Sequence, residues 1–137
     1  HAIAMGSFLV LSADHRIGIS DGGHKIGATE VAIGMAMPWA AVEILRQRLT
    51  RAAFDRSALL AEVFTPDAAQ EAGFFDEIVP AEQLHDRARE VATRLATLDA
   101  KAHHVTKQRA RTPMLDTLAA AIQRDDDEFR AAIAAPG

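Results

Sequence analysis

One carboxylate stands out among the residues whose types and spacing suit chemistry. Glu30 lies in an apolar stretch, with Ala28, Val31, Ala32 and Ile33 around it. A carboxyl among apolar groups suits general acid or base work near neutral pH. An exposed loop glutamate is the plainer reading of the same residues. The second candidate is backbone. Ala4-Met5-Gly6 directly precedes a possible helix, and N–H groups at such a start can hold an anion or a developing oxyanion. A tight turn explains those residues equally well, and composition alone favours it. Gly6, Gly18, Gly22, Gly23, Gly27 and Gly34 are the majority of the eight glycines. They follow no phosphate-loop or dinucleotide spacing.

Other constellations carry less. His103 and His104 are adjacent, so on a helix they point about 100° apart and cannot chelate together. His15, His24 and His85 have no partner at ligand spacing, so solvated histidines and no metal are expected. Ser7, Asp14 and His15 lack a nucleophile elbow, and Asp14 and His15 on a strand would face opposite ways. Asp125-Asp126-Asp127-Glu128 reads as a solvated helix face. The chain has no cysteine, which excludes disulfides and thiolate chemistry, and no tyrosine. Its formal charge of −4 gives no basic surplus for nucleic acid. Apolar runs end well before a membrane span, and no stretch reads as a signal peptide. A cytoplasmic setting is the expectation.

These residues need elements to hold them. The first third of the 137 residues is apolar and glycine-rich, and the rest is alanine-rich, charged and helical in pattern. Residues 5–12 suit a buried helix or a strand equally. Residues 15–20 alternate as a strand, 21–23 form a turn, 24–27 a short second strand, and 28–37 a loop. Pro38 suits the first turn of a helix over 40–49, where Val42, Leu45 and Leu49 share one face. Thr50 caps a helix from 51 to about 64. Thr65-Pro66-Asp67 starts another that stops at Gly73. Residues 74–79 read as a strand ended by Pro80. An amphipathic helix follows over 82–98, then a helix over 101–111 that Pro113 breaks, then a last helix from about 115 to 134. The chain opens on sequence that already reads as structured, as if entered in mid-domain. Residues 131–137 read as a terminus.

Taken together, several motifs resemble the crotonase (enoyl-CoA hydratase/isomerase) superfamily. They are His1-Ala2-Ile3-Ala4-Met5-Gly6, Ser12-Ala13-Asp14-His15-Arg16-Ile17, and Ile26-Gly27-Ala28-Thr29-Glu30-Val31-Ala32-Ile33-Gly34. Phe64-Thr65-Pro66-Asp67-Ala68-Ala69, Ala72-Gly73-Phe74-Phe75-Asp76-Glu77-Ile78-Val79-Pro80 and Val105-Thr106-Lys107 add to them. The resemblance implies an α/β fold in which ββα units wind into a spiral. Residues 1–80 would be the C-terminal part of that core, and 81–137 a helical region for trimer or hexamer contacts. It also implies an earlier segment, absent here, that supplies part of the coenzyme A pocket and one of two oxyanion-hole N–H groups. The second N–H maps onto Met5.

The family's hydratases use two glutamates. One maps onto Phe8, which cannot transfer a proton, and the other onto Glu30, with a small insertion around 21–23. A single glutamate resembles the isomerases, in which one carboxylate moves a proton between C2 and C4 of an acyl-CoA. Gly6, Phe8, Pro38 and Trp39 would line an apolar substrate pocket. No cofactor is implied beyond coenzyme A as part of the substrate. Thioester hydrolysis, decarboxylation and a non-catalytic acyl-CoA binder stand as competing readings, and Lys107 reads as a solvated helix lysine.

Overall fold

The apolar first third folds around two short parallel strand pairings. The computed structural model describes residues 1–134, so the last residues of the region read as a terminus lie outside the described residues. Strand β1 (Ala2–Ile3) leads through α1 (Met5–Leu11) to β2 (Ile17–Ile19) and β3 (Ile26–Gly27). Then come α2 (Trp39–Arg48), α3 (Arg51–Ala58), α4 (Pro66–Ala72), β4 (Glu77–Val79), α5 (Leu84–Leu95) and α6 (Ala100–Ala134). Strand β1 pairs with β3 in the register Ala2↔Ile26, and β2 with β4 in the register Ile17↔Glu77. Parallel pairs need a crossover, and helices supply it. The chain is therefore α/β, with most of its length helical.

The ambiguous run at 5–12 is a helix. Leu11 and Phe8 point from it into the core, and Ser12 closes it, donating its hydroxyl to the Phe8 carbonyl at 2.8 Å. Leu11, Ile26, Leu45, Phe64 and Phe74 are the most deeply buried large side chains. The Phe64 and Phe74 rings lie 5.5 Å apart in a tilted pair, within the range aromatic pairs prefer.

Three predicted boundaries fail, each for a tertiary reason. The helix expected from 51 to about 64 ends at Ala58. Phe64 instead exchanges two backbone hydrogen bonds with Ile26, at 2.8 and 3.1 Å. That bridge makes residue 64 a third rib beside β3 and buries its ring. The strand expected over 74–79 is paired only at Glu77–Val79, because Phe74 and Phe75 are committed to the core. The amphipathic helix expected over 82–98 is a 3-10 turn at Ala81–Gln83 followed by α5, of which only Val91 is buried.

Pro113 does not end a helix either. It sits inside α6, which runs 35 residues without a break. A proline removes one donor from the ladder and crowds the preceding turn. Here the helix continues because its flanks are anchored. Arg111 pairs with Asp14 on one side of the proline, and the length beyond it packs along α2.

The capping signals hold. Thr65 Oγ1 accepts the Ala68 N–H, Pro66 takes the first helical position, and Gly73 ends α4 at φ +99°. A side chain at Gly73 would bring its Cβ within 2.8 Å of the Arg48 carbonyl, so glycine is required there on two counts. Beyond it, Arg16 binds Asp76 through its backbone N–H at 2.8 Å and through Nε and Nη2 at 3.0 and 2.8 Å. Its Nη1 donates to the Gly73 carbonyl at 2.8 Å.

The Arg16 guanidinium holds the Asp76 carboxyl below its ordinary value of 3.8, against the opposing effect of partial burial. A lowered folded value stabilises above the unfolded one and is lost as pH falls through the folded one. Asp76→Asn should therefore reduce the free energy of unfolding at pH 7 by about 1–2 kcal/mol, the carboxyl's partial exposure keeping the figure low. Urea titrations should show that gap closing as the pH is taken from about 5 down past the folded value.

Candidate functional site

Glu30 lies three residues beyond the end of β3. Its own carbonyl accepts N–H groups from Ile33 at 3.1 Å and Met35 at 3.0 Å, which folds residues 31–33 into a single 3-10 turn closed by Gly34 at φ +78°. The turn inverts the usual arrangement of polar and apolar groups. Val31, Ile33 and Met35 are exposed, while Glu30 is only 6% exposed. The exposed loop glutamate is thus ruled out. Its Oε2 is buried and among the described residues has no hydrogen-bond partner. Among the described residues only one other buried side-chain oxygen shares that state, Ser57 Oγ in α3. Burying a carboxyl oxygen without a partner is unfavourable, so this one calls for a functional explanation.

Met5 opens α1 beside this strand. The Ala4 N–H donates to the Gly27 carbonyl at 3.0 Å, so the turn before Met5 is tied to a residue three positions ahead of Glu30. Ala4 gives α1 no side-chain cap. Among the described residues the helix's internal bonding begins with the Ser7 and Phe8 N–H groups, both on the Ala4 carbonyl. That leaves the Met5 and Gly6 N–H groups for an external acceptor. A Cβ at Gly6 would meet nothing within 4 Å, so space adjoins these donors.

Phe8 is buried in the core. Pro38 is the N-cap of α2, one position before the first turn expected from sequence. Trp39 is partly exposed and is held by α6. Its backbone N–H and that of Ala40 donate to the two Asp125 carboxylate oxygens at 2.8 and 2.9 Å. Its Nε1 donates to Glu128 at 2.8 Å, and the Arg124 guanidinium lies 3.5 Å from the centre of its ring system. The acidic run read as a solvated face therefore does structural work at two of its four positions. It caps a helix whose own N-cap is a proline. Asp125→Ala should lower the free energy of unfolding by about 1–2 kcal/mol. Hydrogen exchange should locate the loss at the Trp39 and Ala40 amides.

Lys107 is exposed on α6, as a solvated helix lysine would be. It pairs with Asp14, as does Arg111, and its hydrogen bond is the first cause holding the Asp14 carboxyl below its ordinary value. His15 contacts Glu77 at 2.8 Å rather than Asp14. Ser7 is fully buried with its hydroxyl on the Ala4 carbonyl, so the three residues form no triad. Among the described residues no group of three or more His, Asp or Glu is placed to hold a metal. No described helix is long and apolar enough to cross a membrane.

Comparison with known proteins shows the family and the fold. The family model for enoyl-CoA hydratase/isomerase matches residues 1–135. The rat protein named enoyl-CoA delta isomerase 1, mitochondrial, is 28% identical over 126 residues, covering 92% of this chain and 44% of that protein. An enoyl-CoA hydratase/isomerase family protein from Pseudomonas syringae superposes with a TM-score of 0.89 at 48% identity, over 91% of this chain and 54% of that one. An enoyl-CoA hydratase from Mycobacterium ulcerans does so with a TM-score of 0.88 at 46% identity, over 94% of this chain and 56% of that one. The chain thus spans about half the length of the relatives it matches.

Proposed function

Because the chain belongs to the enoyl-CoA hydratase/isomerase family and has its crotonase-type fold, we propose that it forms the acid–base half of an enoyl-CoA isomerase site. The buried, unpartnered Glu30 carboxyl is the observation that carries this reading. The ionised carboxylate takes a proton from C2 of a 3-enoyl thioester. The electron pair left behind delocalises into the thioester carbonyl as a dienolate. The Met5 N–H, with a second donor from residues outside this chain, stabilises the new oxyanion. Glu30 then returns the proton at C4, giving the 2-enoyl thioester. Each backbone donor of this kind contributes about 3–4 kcal/mol. One carboxyl suffices because the same group gives up what it took, with no net gain or loss of electrons. Coenzyme A enters as part of the substrate, and the chemistry needs no further cofactor.

Hydration would ask more of the site. One group must activate water and another deliver a proton, and Phe8 occupies the place of the second glutamate. The name of the rat relative agrees with isomerisation. The exposed apolar residues beside Glu30 fit an apolar acyl chain as substrate. A trimer or hexamer formed through α6 belongs to the same reading, since Phe129 and Ile133 are about two-thirds exposed on that helix. A cytoplasmic setting does as well.

The test is an assay of the full-length protein with 3-enoyl-CoA and 2-enoyl-CoA. Double-bond migration should outpace hydration by at least about 100-fold, the scale of one missing general acid–base group. Faster hydration, or release of free coenzyme A as the main product, would overturn the assignment.

A further inference from the structure

The Ala4–Met5 peptide unit is held unusually firmly, and on one side only. Ala4 stands at φ +53° and ψ −123°, a conformation that residues with a Cβ rarely adopt. Three donors converge on its carbonyl oxygen. They are the Ser7 hydroxyl at 2.8 Å, the Ser7 N–H at 2.9 Å and the Phe8 N–H at 3.4 Å. The Ala4 N–H is fixed in turn by the Gly27 carbonyl at 3.0 Å. The Ala4 carbonyl and the Met5 N–H belong to one planar peptide, in which C=O and N–H point in opposite directions. Whatever holds the oxygen inward therefore aims the hydrogen outward. Donors on the oxygen also polarise the unit and strengthen its N–H as a donor.

We propose that Ser7 is a positioning residue: its buried hydroxyl pins the Ala4 carbonyl and so orients and polarises the Met5 N–H toward the thioester oxygen. This rests on the oxyanion role given to Met5 above. Ser7 is fully buried and among the described residues its hydroxyl has no other partner, so the side chain is placed for this contact and not for reaction with substrate. Ser57 provides a matched contrast. It is equally buried in α3, but its hydroxyl bonds nothing among the described residues.

The experiment compares Ser7→Ala, Ser7→Cys and Ser57→Ala in the full-length protein. The probe is a saturated acyl-CoA with carbon-13 at the thioester carbonyl, which binds but cannot isomerise. Infrared difference spectra read how strongly the site polarises that carbonyl, and steady-state kinetics read turnover.

In the unsubstituted protein, binding should move the carbonyl stretch to lower wavenumber. Ser7→Ala should reverse part of that shift and lower kcat about tenfold with KM little changed, a fraction of the 10²–10³ lost when such a donor is removed outright. Ser7→Cys, with a weaker donor of similar size, should fall between. It also serves as the test if the alanine variant folds poorly. Ser57→Ala should leave both readouts unchanged. If Ser7→Ala shifts the stretch as far as the unsubstituted protein does, the positioning role is wrong while the oxyanion hole stands. If the unsubstituted protein binds the probe without any lowering of the stretch, the oxyanion reading fails and this inference with it.

Discussion

Replacing Glu30 by glutamine is expected to lower kcat for double-bond migration by about 10³-fold, within the range seen when a positioned acid–base group is removed. Glutamine keeps the size and the burial of the side chain. It cannot accept and return the proton, so the barrier rises by about 4 kcal/mol. KM should change little, because the carboxyl acts on C2 and C4 and the thioester is held elsewhere. Stability should move the other way. Among the described residues Glu30 keeps one carboxyl oxygen buried and unpartnered, an arrangement that stabilises no native contact and carries a desolvation penalty. Glu30→Gln should therefore unfold at the same urea concentration as the unsubstituted protein or at a higher one. Loss of turnover together with undiminished stability marks a catalytic group, since a group kept for structure loses both. A kcat within about threefold of the unsubstituted protein, a change of less than about 1 kcal/mol in barrier, would remove Glu30 from the mechanism.

The same residue illustrates what sequence alone conveys and what it withholds. Glu30 is visible as a lone acid among apolar neighbours, but those neighbours do not say which way the turn will face. In the fold Val31, Ala32 and Ile33 are exposed while Ala28 and the carboxyl are inside, because residues 33 and 35 close on the Glu30 carbonyl and rotate the turn. Local signals were legible where the physics is local. Thr65, Pro66 and Gly73 bracket α4 through a cap, a fixed φ and a left-handed stop, all within nine residues. Phe64 was not legible, since its strand bonds go to Ile26 and nothing near residue 64 announces them. Asp125 looked like solvated charge because its partner Ala40 lies 85 positions away. Pro113 misled for the opposite reason. Its local preference is strong, and anchoring of α6 to Asp14 and α2 overrides it.

The largest structural effect is expected from Gly27→Ala, because this residue joins the two parts of the candidate site. Gly27 sits on β3, with β1 on one side and residues 62–64 on the other. A Cβ there would lie 2.7 Å from the Glu62 carbonyl oxygen and 3.5 Å from the Val63 Cα. Both contacts are backbone, so no side chain can swing aside. Either the 62–64 rib moves out or β3 moves in. The first breaks the Ile26–Phe64 bridge and loosens the buried Phe64 ring. The second displaces the Gly27 carbonyl that holds the Ala4 N–H, and with it the Met5 donor on one side and Glu30 on the other. Overpacking of this kind costs about 1–3 kcal/mol, and weakening of the bridge should place this variant near the upper end. Chemical denaturation should register that loss. Kinetics at a temperature where the variant stays folded should register a second one, since displacing a donor and a base by about 1 Å can cost on the order of 100-fold in turnover. The two losses should be separable: raising stability with a permissive additive should restore the folded fraction and leave kcat low. If kcat per folded molecule returned fully, Gly27 would matter only for packing, and the link it makes between Ala4 and Glu30 would carry no catalytic weight.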